Sequence, residues 1–324
     1  MGRRGRRLVI LLAAAVCCQA EAQQVSVAPY YGGRLAALSL TFDDGLQDQY
    51  TLAYPELKRR GLRATFAIIG SKVGGTMRSK QDRDEGTDGT PCMTWDMLRE
   101  MAADGQEIAS HGWAHRAVTR LTAEELNREL YRNDSVIEAE TGQRPATFVY
   151  PGNNKSAEAT ARCEKGRIGS RTFQISFGGK RSLAYMRNYV DHLIARGGWG
   201  VTMTHGIARG YDHFKDQHIF PAFLDDIGSK QDVLWIAPLR DVMAYVKERD
   251  HAQLLVETAD SVLLVSIVTD LDRQLFRHPL TLMLSESIVG AEQDGIPLPV
   301  ISRDGTCYVN IDPHGGRVML RMKM

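Results

Sequence analysis

The sequence predicts an α/β fold followed by a small antiparallel β domain, on three observations. From about residue 34 to 250, seven short apolar β-type runs alternate with amphipathic helical stretches. This alternation is typical of a parallel sheet with helices outside, either a closed barrel or an open doubly wound sheet. After Asp250 the helical pattern stops, and short strands separated by Asp-Gly turns follow. Of the 324 residues, 43 % are hydrophobic and 24 % charged, which excludes collagen-like, low-complexity and broadly disordered chains.

The predicted strands are separated by helices that carry local start signals. The segment 122–140 opens with Thr122 and Glu125 in a capping-box pattern, in which each side chain satisfies the other residue's free amide. The loop 70–92 is longer than a connection needs, which favours a rim or lid beside a functional site. The seven predicted strands are residues 36–42, 64–69, 106–110, 146–150, 168–172, 200–204 and 233–236.

The first 22 residues have the three parts of a secretory signal peptide. Arginines precede the apolar stretch 8–18, and a small-residue exit follows at residues 20–22. This apolar stretch is too short to span a bilayer, which needs about 20 residues. We therefore expect an exported protein, periplasmic or extracellular, with no transmembrane segment in the mature chain.

The predicted domains are a signal peptide at 1–22, an α/β domain at 23–251 and a β-rich accessory domain at 252–324. The accessory domain contains no metal or nucleophile pattern, so either a packing role or a carbohydrate-contacting role is open. Of the five cysteines, two belong to the leader. We expect Cys92 to pair with Cys163 in an oxidising compartment, which leaves the last cysteine free.

Acidic and histidine side chains follow the carboxyl ends of three predicted strands. Asp43 and Asp44 end the first strand, and two adjacent carboxylates need a cation or a shared proton. His111 and His115 end the third strand, in a spacing that places two imidazoles on one face of a helical turn. Two histidines and one aspartate form a three-ligand set for a divalent metal with open positions for water and substrate. His205 follows the sixth strand and is a candidate acid beside that metal.

In order and spacing these residues resemble the polysaccharide deacetylase family with its NodB homology domain (carbohydrate esterase family 4). The segment 41–45 (TFDDG) matches the first motif of that family, and the H-x-x-x-H segment 111–115 matches its metal motif. The segment 148–152 (FVYPG) resembles the third motif and 204–206 (THG) the last. The resemblance covers about residues 35–250 and implies a distorted (β/α)7 barrel.

The resemblance further implies a metal-dependent hydrolase that removes N- or O-acetyl groups from a carbohydrate. Asp43 would be the general base, His205 the general acid, and the backbone amide of Tyr150 an oxyanion donor. The metal would be Zn²⁺ in the first place, with Co²⁺, Ni²⁺ or Mn²⁺ as alternatives. The implied metal ligands are Asp44, His111 and His115, and the implied substrate contacts are Trp199 and Pro151.

Two positions depart from the pattern of that family. Gly112 stands where the metal motif usually has Ser or Thr, and Phe148 stands where the third motif usually has an arginine that orients the catalytic aspartate. From strand order alone, we expect Arg171, at the end of the next strand, to reach Asp43 instead. An acidic partner for the acid histidine is not evident, since Asp191 is the only aspartate between the third and last motifs.

Three other interpretations remain open. A glycosidase could use two carboxylates but would not need the histidine pair. Two histidines and a carboxylate could hold Fe(II) in an oxygenase, usually on a double-stranded β-helix. The third is a non-catalytic carbohydrate-binding protein on the same barrel. The net charge of +1 is too small for a nucleic-acid binder, which normally has a strong excess of basic residues. It is compatible with a neutral or weakly charged substrate such as an acetylated glycan. The sequence does not predict the oligomeric state.

Overall fold

The computed structural model describes residues 25–78, 83–84 and 88–323, so the leader predicted at 1–22 lies outside the described residues. Over this part of the chain, no helix combines the length and the apolar character needed to cross a bilayer.

The α-helices of the described part are α1 (Tyr54–Arg59), α2 (Trp95–Ala103), α3 (Ala123–Thr141), α4 (Ala157–Glu164), α5 (Leu183–Arg196), α6 (Ile219–Gly228) and α7 (Leu239–His251). Helices α2 to α5 each begin at a Ser or Thr whose side chain accepts a hydrogen bond from a backbone amide of the first turn. Thr122 and Glu125 form the predicted capping box at the start of α3, and Gly142, in the left-handed region, ends it. A π-helical segment, Gln49–Ala53, precedes α1.

All seven predicted strands are present in one parallel sheet, which confirms the predicted α/β architecture. The first eleven strands among the described residues are β1 (Val25–Val27), β2 (Ala36–Phe42), β3 (Thr65–Ile68), β4 (Thr76–Met77), β5 (Thr90–Pro91), β6 (Glu107–Ser110), β7 (Thr147–Val149), β8 (Gly169–Arg171), β9 (Ile175–Ser176), β10 (Trp199–Thr204) and β11 (Leu234–Ile236). The parallel sheet has the order β8-β7-β6-β3-β2-β10-β9, with β11 also paired to β2, and it curls into a half-barrel with the helices outside.

Strand β2 lies in the middle of this sheet and is buried along its whole length. Because side chains alternate between the two faces of a strand, Leu38, Leu40 and Phe42 pack into the main hydrophobic core with the outer helices. Thr41 and Asp43 face the interior of the half-barrel instead. The polar side chains of this buried strand thus lie on the face where the interior of the half-barrel offers hydrogen-bond partners.

The strands of the C-terminal region are β12 (Gln253–Ala259), β13 (Val262–Val268), β14 (Leu280–Leu284), β15 (Ile288–Gln293), β16 (Ile296–Leu298), β17 (Val300–Arg303), β18 (Thr306–Ile311) and β19 (Val318–Met322). Together with β1 they form two antiparallel sheets, of order β1-β14-β18-β17 and β12-β13-β19-β15-β16. The facing side chains of the two sheets share a hydrophobic core that continues onto Trp235 and Tyr245 of the half-barrel. The change from helix to strand falls between α7 and β12, next to the predicted boundary at 251.

One strand departs from the predicted division of the chain. Strand β1 belongs by sequence to the predicted range 23–251, but it pairs with β14, with Val25 opposite Leu284. The hydroxyl of Tyr245 on α7 donates to the carbonyl of Ala28 at 2.7 Å, just after β1. The start of the described chain is therefore part of the C-terminal sheets, through a long-range pairing without a local sequence signal.

The expected disulfide is absent, since Cys92, Cys163 and Cys307 are all buried free thiols. Cys92 forms an isolated bridge with Leu46 beside β5. Cys163 lies on α4 in a separate apolar cluster behind β7. The prediction of a Cys92–Cys163 pair is wrong because the two residues belong to different parts of the half-barrel.

Candidate metal centre

The candidate site lies at the carboxyl edge of the half-barrel. Parallel strands place their carboxyl ends on one edge, so the side chains that follow them converge. Asp43 and Asp44 follow β2, His111 follows β6, and His205 follows β10. The amide of Asp43 donates to the carbonyl of Thr204 at 2.9 Å, which extends the pairing of β2 and β10 up to the site.

Asp44, His111 and His115 form a three-residue cluster whose ligand atoms lie within 4.8 Å of one another. Asp44 Oδ1 is 3.5 Å from Nε2 of each histidine, and it is buried without a hydrogen-bond partner among the described residues. His111 Nδ1 lies 2.7 Å from the carbonyl of Val149. Because a carbonyl only accepts, Nδ1 carries a proton, which leaves Nε2 as the ring atom that can bind a metal. This donor set fits a divalent cation.

The two histidines lie on a loop, so the predicted helical turn at 111–115 is wrong. Gly112 has φ +76° and His115 has φ +55°. These left-handed residues turn the chain back, and the imidazole centroids of His111 and His115 are 4.8 Å apart. A non-glycine residue enters this region at a cost of about 1–2 kcal/mol. The backbone therefore favours glycine over Ser or Thr at position 112.

Arg171, at the end of β8, reaches across the half-barrel to Asp43. Its Nη1 donates to Oδ1 at 2.7 Å and its Nη2 to Oδ2 at 2.6 Å, a bidentate arrangement. Nη1 also donates to Thr41 Oγ1 at 2.6 Å, and that hydroxyl donates to the carbonyl of Thr202. Arg171 and Asp43 are both buried. The structure thus places Arg171 against Asp43, the carboxylate predicted from strand order, while Phe148 packs into a core cluster.

The surroundings of these groups set their charge states. Burial opposes ionisation of the Asp43 carboxyl, but the charge and hydrogen bonds of Arg171 outweigh it and lower its pKa to about 2. Burial and the nearby charge of His111 lower the pKa of His115 to about 4. At neutral pH, Asp43 is therefore ionised, and His115 is in the neutral form that ligates metals.

His205 faces the same cavity as the metal cluster. Its ring packs edge-on against Tyr211, with centroids 4.9 Å apart. His205 Nδ1 is buried and has no hydrogen-bond partner among the described residues. Asp191, the one aspartate available by sequence, lies on α5 and pairs with Lys230 at 2.8 Å. The orientation of the imidazole therefore does not depend on a carboxylate partner.

Of the remaining predicted site residues, Tyr150 and Pro151 lie at or beside the cavity, whereas Trp199 does not. Tyr150 lines the cavity, and Pro151 beside it is buried at the start of a 3-10 turn. Trp199 begins β10, whereas the site lies at the end of that strand. Six residues at about 3.3 Å each put Trp199 about 20 Å from His205, where its ring packs edge-on against Phe173. The structure does not bring Trp199 to this cavity.

The cavity has a volume of about 480 Å³, within the range of small-ligand sites. Tyr211 is 64 % exposed at its rim, and Arg83 Nη1 donates to the carbonyl of Arg78 at 2.8 Å. Sequence reasoning did not single out these residues, although the length of the loop 70–92 predicted a rim. The described residues of that loop that line the cavity are Met77, Arg78, Arg83 and Thr90.

Comparison with known proteins identifies relatives of the half-barrel. Residues 34–166 match the family model described as polysaccharide deacetylase. The putative polysaccharide deacetylase YxkH of Bacillus subtilis is 29 % identical over 126 residues, which is 39 % of this chain and 40 % of that protein. Chitin deacetylase 1 of Cryptococcus neoformans is 31 % identical over 112 residues, 35 % of this chain and 20 % of that protein. The matches thus span less than half the length of these two relatives.

A solved structure has the same fold. The crystal structure of a putative polysaccharide deacetylase from Mycobacterium smegmatis superposes with a TM-score of 0.52 at 14 % identity, and the match covers 69 % of this chain and 94 % of that one. At this identity the similarity concerns the fold alone.

Proposed function

Because residues 34–166 belong to the polysaccharide deacetylase family, we propose that this protein is a metal-dependent hydrolase that removes N- or O-acetyl groups from a carbohydrate polymer or oligosaccharide. The observation that carries the proposal is one cavity in which Asp44, His111 and His115 lie beside Asp43 and His205. A hydrolytic site of this kind needs a cation position, a base and an acid, and the five side chains supply all three.

The metal ligands of the proposed enzyme are Asp44, His111 and His115. One carboxylate and two imidazoles suit Zn²⁺ first, and Co²⁺, Ni²⁺ or Mn²⁺ can take the same ligands. A divalent ion bound there polarises a carbonyl and lowers the pKa of water. The chain contributes the preformed cluster and the Val149 carbonyl that orients His111.

Asp43 is the proposed general base. Its low pKa leaves it ionised at neutral pH, and its carboxylate accepts the proton of the attacking water. Arg171 holds both carboxylate oxygens, so it fixes the plane of the base without touching the metal ligands. We assign Arg171 the orienting role that the usual third-motif arginine has in the family.

His205 and Tyr150 complete the proposed machinery. The imidazole of His205 donates a proton to the sugar nitrogen or oxygen as the acetyl group leaves. The backbone amide of Tyr150 stabilises the negative oxygen of the tetrahedral intermediate, an effect of a few kcal/mol for one donor in other oxyanion holes. Both residues line the cavity that holds Asp43.

A non-catalytic carbohydrate-binding protein is the second interpretation, and it rested on the missing third-motif arginine. The Arg171–Asp43 contact removes that argument, because an arginine is present at the base although it comes from another strand. We also propose that the protein is exported, on the leader pattern of residues 1–22, and that it acts on an acetylated glycan outside the cytoplasm.

The test is acetate release by the purified protein, with metal content measured on the same sample. The substrates should include both N-acetyl and O-acetyl groups, and suitable ones are peptidoglycan, chitin oligosaccharides, acetylated xylan and an acetylated capsular polymer. The proposal expects a bound divalent ion and acetate from at least one polymer. Binding without acetate release would favour the carbohydrate-binding protein, and iron without acetate would favour an oxygenase.

A further inference from the structure

Gln49, in the segment after β2, links the backbones that carry the proposed base and acid. Its side chain is fully buried. Nε2 donates to the carbonyl of Asp43 at 2.6 Å and to the carbonyl of His205 at 2.9 Å. One amide group thus spans the ends of β2 and β10 and sets the separation of the two residues.

Asp48, next to Gln49, holds the loop that follows His205. Its Oδ2 accepts hydrogen bonds from three successive amides at 2.8, 2.8 and 3.0 Å. Adjacent amides that converge on one carboxylate form a strong, charge-assisted anchor. The three amides belong to Ile207, Ala208 and Arg209.

The loop itself is tightly folded at this point. A Cβ atom at Gly206 would lie 1.7 Å from the carbonyl oxygen of Arg209, so only glycine fits there. The amide of Gly206 donates to the carbonyl of Tyr211 at 3.2 Å, which brings the Tyr211 ring back over His205. The loop whose amides bind Asp48 therefore also carries the aromatic side chain that packs on the imidazole.

We propose that Asp48 and Gln49 are positioning residues for His205, an inference that rests on the proposed function. A histidine with a hydrogen-bonded carboxylate is oriented through its ring. His205 has no such partner among the described residues, so its ring direction follows from its backbone and from Tyr211. Gln49 binds the backbone of His205, and Asp48 binds the loop between His205 and Tyr211. Among the described residues, neither side chain forms a hydrogen bond with Asp44, His111 or His115.

Two kinds of acetyl substrate differ in how much they depend on proton donation by His205. Protonation by His205 is needed when a poor leaving group, such as a sugar amine or sugar alkoxide, departs from the acetyl carbon. An aryl acetate such as 4-nitrophenyl acetate releases a stable phenolate and needs little acid assistance. Loss of the hydrogen bonds made by Asp48 and Gln49 should thus lower the rate of acetate release from glycans and leave the rate on aryl acetates unchanged.

The experiment compares Gln49→Met and Asp48→Asn with the unchanged protein on an acetylated glycan and on 4-nitrophenyl acetate. For Gln49→Met we expect kcat on the glycan to fall between about tenfold and 100-fold, as for small misplacements of a catalytic group. In this variant Asp43 is still held by Arg171 and by the hydrogen bond from its amide to the carbonyl of Thr204. KM, bound metal and the aryl acetate rate should therefore stay within about twofold. Asp48→Asn keeps one acceptor oxygen, so its kcat on the glycan should fall by only about fivefold, again with little change in the aryl acetate rate. The matched control is Gln231→Met, an exposed glutamine away from the site.

Thermal unfolding and metal content of each variant show whether it is folded. If Gln49→Met does not fold, Asp48→Asn decides the test alone. Equal losses on both substrates, or no loss on either, would overturn the role of Asp48 and Gln49 in an otherwise active enzyme. An unchanged protein that releases no acetate from any glycan would overturn the proposed function instead.

Discussion

Arg171 and Asp43 form a buried bidentate ion pair across the half-barrel, with nitrogen–oxygen distances of 2.7 and 2.6 Å. The arginine comes from β8, at one end of the sheet, and the aspartate follows β2 in its middle. The pair therefore connects two strands that are not neighbours. It fixes the plane of the carboxylate and leaves the metal cluster untouched.

Arg171→Lys should lower kcat by about 100-fold, because a lysine keeps the charge but loses the two parallel hydrogen bonds that orient Asp43. Arg171→Met should also destabilise the fold by about 3–5 kcal/mol, since it leaves a buried carboxylate unpaired. Acetate release, metal content and thermal unfolding measure the three effects. Metal content should stay unchanged in the lysine variant, and unchanged turnover would contradict the assignment.

Gly112→Ser would restore the residue that the family usually has after the first metal histidine. Here the left-handed backbone at φ +76° should make it destabilising by about 1–2 kcal/mol, with weaker metal binding because the loop carries His115. Gly228→Ser is the control, because that glycine has no positive φ and open space around it. Thermal unfolding with and without metal measures the difference, and a Gly112→Ser variant that binds metal more tightly would refute it.

Glu248 on α7 predicts a pH dependence of stability. Burial raises its pKa from 4.5 to about 7, although its carboxylate accepts a hydrogen bond from the amide of His278. The folded state therefore holds this proton more tightly than the unfolded state. The stability that it contributes is fully present below about pH 4.5 and is lost as the pH rises through about 7, by up to about 3 kcal/mol.

Glu248→Gln removes this titration, so its free energy of unfolding should vary less between pH 5 and 8 than that of the unchanged protein. Glu257→Gln, at an exposed position paired with Arg317, is the control and should follow the unchanged protein. Denaturant unfolding at several pH values measures the slopes. A Glu248→Gln curve parallel to the unchanged protein would show that Glu248 keeps an ordinary pKa.

All seven strands predicted from short β-type runs are present in the half-barrel sheet, whereas the two-residue strand β9 has no such run and is not predicted. The convergence of Asp44 and His111 also followed from the sequence, since the ends of parallel strands meet at one edge. The helical turn at 111–115 was wrong because spacing alone does not reveal backbone dihedrals. Gly112 was the local sign of a left-handed residue.

Other features depend on contacts that leave no local pattern. The family resemblance implies that Trp199 contacts the substrate, but Trp199 is the first residue of β10 and the site lies at the opposite end of that strand. Gln49 and Asp48 were overlooked because their partners are more than 150 residues away in the sequence, except for the carbonyl of Asp43. The pairing of β1 with β14 also joins distant parts of the sequence, so no local pattern predicts it.

The central claim is that Asp43 is the base and that Asp44, His111 and His115 form a separate metal cluster. The most direct measurement is acetate release and metal content of Asp43→Asn beside those of His111→Ala. Asp43→Asn should keep its metal and lose at least about 100-fold in turnover, whereas His111→Ala should lose both metal and turnover. Full activity of Asp43→Asn, or loss of its metal, would contradict the claim.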